Sequence, residues 1–278
     1  MSKYAVVDKD TIKKEIIPYL SIAKRGFTGK FDLLSIVTVI LYKLRTGCQW
    51  EYLPVYNFFD GEIPGYKTIF YHYRKWCKLG DWEIMFSRLL RKYRHLLDLS
   101  LSHIDGSHTP AVRGGESVGY QGRKKRKTTS SIYFTDRLGL PLAMSEPRKG
   151  NHADLYRIKD SVDCIAFQPD ICGIPLDGIF NNTNAGFDAL SLRKTLDKYG
   201  IIANVCPNPR NGEPSEEYLF DEVMYKERFA IERTNAWMDS FRSILCRFDT
   251  TLSSWKGWNY LAFAVVFLKK IHKSKKFR

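Results

Sequence analysis

Apolar positions in the first third of the chain recur at helical spacing. The segment 31–44 is apolar enough for a buried helix, and the segment 67–79 carries apolar residues three to four positions apart with Arg and Lys between them. Asp81 is a candidate N-cap for a third helix over 82–97. Short helices with a basic exposed face favour a helix-turn-helix-like DNA-binding domain over residues 1–97. A plain helical bundle is the alternative.

The pattern changes near residue 99, where alternation typical of strands begins. Strands are predicted over 97–105, 128–146 (a hairpin), 175–181 and 201–206. Helices are predicted over 152–165, 187–200, 224–248 and 258–271. Hairpin strands are antiparallel and strand–helix–strand crossovers are parallel, so this order predicts a mixed sheet. We therefore expect one α/β domain over 98–271, followed by a basic tail over 272–278.

The charge of the chain indicates a kind of binding partner. The chain has 278 residues, with 44 Lys+Arg against 30 Asp+Glu and a net charge of +14. Such a balance attracts polyanions through phosphate contacts, although it can also serve solubility alone. Five successive cations occupy one run: Arg123, Lys124, Lys125, Arg126 and Lys127. By itself the run suits a flexible, solvated loop, and the family resemblance given below implies that it holds the phosphates of double-stranded DNA.

Cysteines and hydropathy indicate the compartment. None of the six cysteines forms a C-x-x-C pair, which favours reduced core residues of an intracellular protein. No apolar run reaches ~18 residues, so no membrane span is expected. The first residues lack the apolar core of a signal peptide. A cytoplasmic location is the resulting expectation.

Three positions fall where a sheet could gather catalytic oxygens. Asp105 is expected to close the first strand, with Gly106 letting the backbone turn away. Asn184 follows the strand that ends near residue 181, and Glu232 lies on the predicted long helix. Carboxylates that converge at a sheet edge can bind a pair of Mg²⁺ or Mn²⁺ ions. A strand-end Asp that merely caps a turn is the alternative.

The predicted long helix has a polar face with regular spacing. Steps of three and four residues connect Tyr225, Arg228, Glu232, Asn235, Asp239 and Arg242. A separate apolar stripe contains Ile231, Met238, Phe241, Leu245 and Phe248. The pattern fits a site-bearing helix, and it also fits an ordinary amphipathic helix with a solvated side.

Several of these segments together carry a family resemblance. The chain contains, in order, HIDGSH, GYQGRKKRKTTSSIY, GNHADL, NTNAGFD and YKERFAIERTNAWMDSFR. This ordered set resembles the motifs of bacterial insertion-sequence transposases of the DDE class. The upstream segments LRTGCQWEYLP and GYKTIFYHYRKWCKLGDWE resemble that family's N-terminal helical module. The resemblance implies an RNase H-like catalytic core and metal-dependent cleavage and strand transfer at transposon ends. It also implies a homodimer or higher oligomer, because two DNA ends must be held together.

The resemblance assigns roles to individual residues. Asp105 matches the first catalytic Asp and Glu232 the catalytic Glu, while Tyr225 and Arg228 match the Tyr and Arg that precede that Glu. With Asn184, the two acids are the predicted catalytic and metal-binding set, and Tyr225, Arg228 and Arg242 join the predicted DNA contacts. The family usually has Lys or Arg where Asp239 stands. Arg242, one turn further, could supply that charge.

The second catalytic position is where the chain departs from the family. Asn184 falls on the second catalytic Asp, while Gly186, Phe187 and Asp188 match the motif. Asn offers a metal one neutral oxygen and no charge. The site is then inactivated, or Asp188 substitutes, or the protein tolerates Asn. The predicted function is an insertion-sequence transposase that binds terminal inverted repeats, with an inactive transposase-derived DNA-binding protein as the alternative.

One further motif, His152 with Asp154, invites comparison with a Ser–His–Asp triad. No G-x-S-x-G nucleophile frame accompanies these residues. We therefore interpret them as the entry to a helix near the site.

Overall fold

The computed structural model describes residues 6–22, 30–212 and 218–275. The α-helices are α1 Lys9–Glu15, α2 Leu33–Thr46, α3 Tyr66–Lys78, α4 Asp81–Tyr93, α5 Ile158–Ile171, α6 Leu190–Asp197, α7 Glu222–Tyr225, α8 Phe229–Asp239, α9 Arg242–Leu245 and α10 Leu252–Lys275. The strands are β1 Leu101–Pro110, β2 Gly119–Gln121, β3 Arg126–Asp136, β4 Pro141–Met144, β5 Arg148–Lys149, β6 Phe180–Thr183 and β7 Ile202–Val205.

The chain divides into two compact units. One unit contains Met1–Leu89 together with Met238–Arg278, and the other contains Leu90–Trp237. This division differs from the predicted domains 1–97 and 98–271, because the C-terminal helices group with the N-terminal ones. The apolar stretch of α10 is buried along most of its length, which accounts for its place in a helical core.

The helical unit forms where the sequence supplies caps and an apolar face. Asp32 caps α2 by accepting a hydrogen bond from the backbone N–H of Ser35 at 2.9 Å. Gly47 ends α2 in the left-handed conformation, with φ 66°. In the core, the Tyr73 ring stacks on Trp258 with centroids 4.0 Å apart, and its hydroxyl donates to the Ser254 carbonyl at 2.6 Å. These contacts join α3 to α10.

The sheet lies in the second unit. Its strand order is β2-β3-β1-β6-β7, with β4 and β5 also pairing with β3. β1 and β3 are antiparallel, whereas β1, β6 and β7 are mutually parallel. The mixed α/β sheet predicted from the sequence is therefore confirmed, and an antiparallel hairpin side joined to a parallel side is the arrangement expected of an RNase H-like core.

Several predicted elements have different bounds. β1 does not end at Asp105 but continues to Pro110, since its pairing with β3 continues to Thr128. Asp81 is not an N-cap: it lies inside α4, and its carboxylate accepts from the backbone N–H and the hydroxyl of Ser21.

The predicted long helix over 224–248 is also wrong. It is broken into α7, a 3-10 turn at Lys226–Arg228, α8 and α9. Two residues of its apolar stripe, Leu245 and Phe248, are about half exposed.

The C-terminal helix is longer than expected. α10 continues to Lys275, so the first four residues of the predicted tail over 272–278 are helical. Residues 276–278 lie outside the described part. Among the described residues, none of the helices combines the length and hydropathy needed to cross a bilayer.

Candidate functional site

Asp105 is the centre of a hydrogen-bonded cluster in the sheet unit. It lies in the middle of β1, opposite Tyr133 of β3. Its Oδ1 accepts from Asn184 Nδ2 at 3.0 Å and from Arg228 Nη2 at 2.9 Å, and its Oδ2 accepts from Asn235 Nδ2 at 3.1 Å. The structure thus brings Asp105 and Asn184, two of the three predicted catalytic residues, into direct contact. It also adds Asn235, which the sequence pattern placed on the same helix face as Glu232.

Asn184 presents its nitrogen to Asp105. The residue follows β6 and is the N-cap of a short 3-10 turn at Ala185–Phe187. Its Oδ1 accepts from the backbone N–H of Gly186 at 2.8 Å, so one of the two lone pairs of this oxygen is engaged. The side-chain NH₂ is left to donate to Asp105. The amide at the second position therefore donates a hydrogen bond to the first acid and adds no negative charge beside it.

Arg228 links the two acids of the cluster. It ends the 3-10 turn that precedes α8 and donates from Nη1 to Glu232 Oε1 at 2.9 Å while Nη2 binds Asp105. The side chains of Arg228 and Asp105 are 16% and 12% exposed, whereas that of Glu232 is 57% exposed. Because its guanidinium is held by two carboxylates, Arg228 does not present the free cation expected of a DNA contact.

Burial sets the protonation behaviour of this cluster. Burial raises the pKa of Asp105; the Arg228 cation opposes this shift and the Glu232 charge adds to it. Burial also lowers the pKa of Arg228, but Asp105 and Glu232 outweigh this effect and raise it overall. The guanidinium is consequently held as a cation between the carboxylates.

In this structure an arginine lies between the two acids of the two-metal site implied by the resemblance. Within the described residues, no group of three or more His, Cys, Asp or Glu side chains is placed to hold a metal ion. Asp105 and Glu232 share one arginine, and the Asn184 oxygen is bonded to Gly186. The arrangement is an acid pair bridged by one guanidinium, with the Asn184 amide donating to Asp105.

Asp188 does not substitute for the missing acid in this arrangement. Its Oδ1 accepts from Arg193 at 3.0 Å, and its Oδ2 accepts from the backbone N–H of Asn208 at 2.9 Å and from Asn211 Nδ2 at 3.1 Å. Burial opposes the shift, but these donors lower the pKa of Asp188 overall. The carboxylate fastens the loop after β7 to the start of α6.

Two buried asparagines position the segment that leads to Arg228. Asn204 on β7 donates to Asn182 Oδ1 on β6 at 2.8 Å, and it bonds both the N–H and the carbonyl of Asp221. Asn182 donates to the carbonyl of Met224 at 2.7 Å. Sequence reasoning missed both residues, although Asn inside a strand is unusual enough to be a signal.

Gly106 has a different role from the expected turn. It lies within β1, opposite Ile132, and a Cβ there would approach Asp154 Oδ1 to 2.5 Å. Asp154 in turn contacts His108 Nε2 at 3.3 Å. The missing side chain gives Asp154 room beside β1, and α5 begins only at Ile158, so His152 and Asp154 precede the helix instead of opening it.

The remaining predicted DNA contacts lie on different elements of the chain. The run Arg123–Lys127 covers the exposed turn between β2 and β3 and the first residues of β3, with Lys124 Nζ donating to the His108 carbonyl at 3.1 Å. Tyr225 is half-buried, its ring 5.3 Å from that of Phe220. Arg242 is wrongly placed on the polar face, because α8 ends at Asp239 and Arg242 begins α9 in the other compact unit.

Comparison with known proteins adds a family. Residues 14–86 match the model of a family described as "Putative transposase of IS4/5 family". This match confirms the resemblance to insertion-sequence transposases for the segment it covers. No curated protein matches the chain.

Solved structures give weak likenesses. A Mos1 transposase paired-end complex with the left transposon end is 14% identical, with 88% of this chain and 80% of that chain covered and a TM-score of 0.29. A Mos1 mariner paired-end complex with Mn is 11% identical, with 92% and 83% covered and a TM-score of 0.30. Likenesses of this size support no conclusion about the chemistry of this chain.

Proposed function

We propose that this chain, whose residues 14–86 match the IS4/5 transposase model, is a transposase-derived protein that binds double-stranded DNA without cutting it. The observation that carries the proposal is the hydrogen bond from Asn184 Nδ2 to Asp105 at 3.0 Å. It puts a neutral donor where cleavage by the family needs a carboxylate. The substitution at 184 is then the inactivation that the sequence left as one of three explanations.

The electrostatics of the Asp105 cluster supports a site that does not cleave DNA. A phosphodiester is itself anionic, and its cleavage by acidic side chains depends on bound cations that offset the accumulating charge. Here the charge of Asp105 is offset by Arg228 and two amides, and Glu232 shares the same arginine. Arg228 offsets one of the two carboxylate charges in this cluster, and three donors already hold Asp105.

DNA binding is supported independently of this cluster. The net charge of +14 favours polyanions, and the exposed turn at Arg123–Lys127 offers five adjacent cations. A protein of this kind would occupy the terminal repeats of its element in the bacterial cytoplasm, as a homodimer if it holds both ends. Occupied ends would be closed to an active transposase.

An active transposase is the second candidate. It is favoured by Asp105 and Glu232, which lie on either side of one guanidinium as the first and third acids of the motif would. In that case metal-dependent cleavage and strand transfer would proceed with Asn184 tolerated, and Arg228 would have to release both carboxylates.

One experiment separates the candidates. The purified chain is titrated against duplexes tiled across the DNA flanking its coding sequence, and the same mixtures are incubated with Mg²⁺ or Mn²⁺ and examined for strand breaks. We expect salt-dependent binding with no breaks. Breaks that an Asp105→Ala variant fails to make would establish the active enzyme and end the proposal. Absence of any DNA binding would end both candidates.

A further inference from the structure

α3 has two opposite faces of contrasting chemistry. Its buried face consists of Ile69, Tyr73, Trp76 and Cys77. The positions opposite, at steps of four, four and three residues, are Lys67, Tyr71, Lys75 and Lys78. Lys67 and Lys78 are exposed, Lys75 is partly exposed, and Tyr71 is 63% exposed. We name these four residues the α3 stripe.

Among the described residues, the charges of the α3 stripe have no carboxylate partner. α3 contains no Asp or Glu. In the described part of the chain, no carboxylate forms an ion pair with Lys67, Lys75 or Lys78. The neighbouring Arg74 is different, because its guanidinium donates to Thr251 Oγ1 at 3.3 Å and lies 6.0 Å from the centre of the Phe70 ring. The three lysines are therefore the cations of α3 that remain open to an outside anion.

Tyr71 is held between these lysines. Its ring lies 5.7 Å from that of His72 at 81°, and the His72 ring lies 5.2 Å from that of Trp76 in the core. An exposed aromatic side chain fixed in this way loses little conformational freedom when it binds. Its hydroxyl can donate to or accept from a base edge, and its ring can contact a thymine methyl group.

The dimensions suit a DNA groove. Lys67 and Lys78 are eleven residues apart, which is about 16 Å along a helix. The major groove of B-DNA is about 12 Å wide and admits one α-helix. Lysines at the two ends of the stripe can therefore reach phosphates while Tyr71 faces the base edges. A lipid surface is a poorer fit, because the apolar face of α3 is already buried.

We propose that the α3 stripe enters the major groove of duplex DNA, with Lys67, Lys75 and Lys78 binding phosphates and Tyr71 contacting base edges. The inference rests on the proposed DNA-binding function and names the side chains that carry it. It assigns affinity to the lysines and sequence preference to the tyrosine. A merely solvated charged face would give neither.

The test compares two triple variants of the full chain. Lys67→Ala, Lys75→Ala and Lys78→Ala are combined in one protein. The matched control combines Lys9→Ala, Lys13→Ala and Lys14→Ala in α1, which are exposed lysines of the same compact unit. Both are titrated at several salt concentrations with the tightest-binding flanking duplex and with a scrambled duplex of the same composition. Circular dichroism and thermal melting verify that each variant is folded.

The outcomes discriminate. The α3 triple variant should make the negative slope of log K against log salt shallower by about 3. It should also weaken binding to both duplexes by about ten-fold or more. The α1 variant should leave the slope unchanged. Tyr71→Ala should keep the wild-type slope and remove about ten-fold of the preference for the flanking duplex.

Other results overturn the inference. Wild-type DNA binding with an unchanged slope in the folded α3 variant would remove the stripe from the interface while leaving the proposed function intact. Equal binding of single-stranded RNA, with no effect of Tyr71→Ala, would replace the duplex by an RNA partner. A wild-type chain that binds no DNA would defeat the proposed function itself.

Discussion

The Asp105 cluster and the α3 stripe handle charge in opposite ways. In the cluster each charged group has a partner within the protein: Arg228 bonds both Asp105 and Glu232, and Asn184 and Asn235 donate to Asp105. In the α3 stripe, three lysines on an acid-free helix face solvent. The charged groups of the Asp105 cluster pair with one another, whereas the lysines of the α3 stripe are available to bind a polyanion.

Because the two regions differ in this way, we expect that DNA binding and DNA cleavage can be lost separately. Affinity for DNA depends on unpaired cations at the surface, which a single substitution in the sheet unit does not touch. Cleavage depends on a few acids whose geometry and charge must be right together. A change from Asp to Asn at one position can therefore end the chemistry and leave the DNA complex.

The largest expected effect comes from restoring the acid. Asn184→Asp removes the amide donor and adds a carboxylate beside Asp105, so the cluster has three carboxylates for one arginine. We expect cleavage of flanking DNA with Mn²⁺ to rise at least about 100-fold above the wild-type background. Strand breaks are measured on labelled duplexes.

Asn184→Ala is the matched control for this prediction. It removes the same hydrogen bond to Asp105 without adding charge, so cleavage should stay at background. Equal gains from Ala and Asp would show that relief of the hydrogen bond, and not the missing charge, was the limitation.

A smaller effect is expected from opening the cluster at its cation. Arg228→Met leaves Asp105 buried beside Glu232 with no arginine, and removal of one partner of a buried pair typically costs about 3 kcal/mol. Urea unfolding gives the free energy. The same change in an Asp105→Asn background should cost clearly less, and an equal cost in both backgrounds would mean that the two side chains are not energetically coupled.

A third effect concerns pH dependence and the carboxyl of Asp136. Asp136 accepts hydrogen bonds from the backbone N–H groups of Asp98, Leu138 and Leu140, and burial raises its pKa to about 7. Since the folded pKa lies above the unfolded value, its contribution to stability is full below about pH 4 and is lost as pH rises towards 7.

The comparison for this prediction is with Asp136→Asn, which cannot titrate. Wild-type unfolding free energy, relative to that of the variant, should fall between pH 4 and 7 in urea titrations. A difference that stays constant over this range would show that Asp136 is ionised throughout.

Local chemistry made much of the fold predictable. The apolar run over residues 31–44 predicted α2. The alternation around residues 128–146 gave the β3–β4 hairpin. In both cases the decisive residues are neighbours in sequence, so periodicity and turn residues suffice.

Tertiary contacts decided what the sequence pattern could not. Arg242 is spaced correctly for one polar face, yet the helix breaks after Asp239. Asp81 has the chemistry of an N-cap but bonds Ser21, sixty residues away. Neither partner can be inferred from a local window.

The sequence predicted which residues form the candidate site, but not the hydrogen bonds and ion pairs that these residues make. The motifs named Asp105, Asn184 and Glu232 as neighbours, and their catalytic roles stay a prediction. The motifs could not show that the Asn184 oxygen is taken by Gly186, or that Arg228 lies between the acids. Those facts depend on side-chain rotamers in the folded protein.

On the proposed function, the Arg228 guanidinium and the Asn184 amide leave no place for a catalytic metal at Asp105. Mn²⁺ binding by the DNA-free chain, followed by electron paramagnetic resonance, tests this directly, with Asp105→Ala as the reference for unrelated surface sites. We expect wild type and Asp105→Ala to titrate alike, and Asn184→Asp to show an added saturable site. A saturable Mn²⁺ site that is present in the wild type and lost in Asp105→Ala would overturn the proposed function.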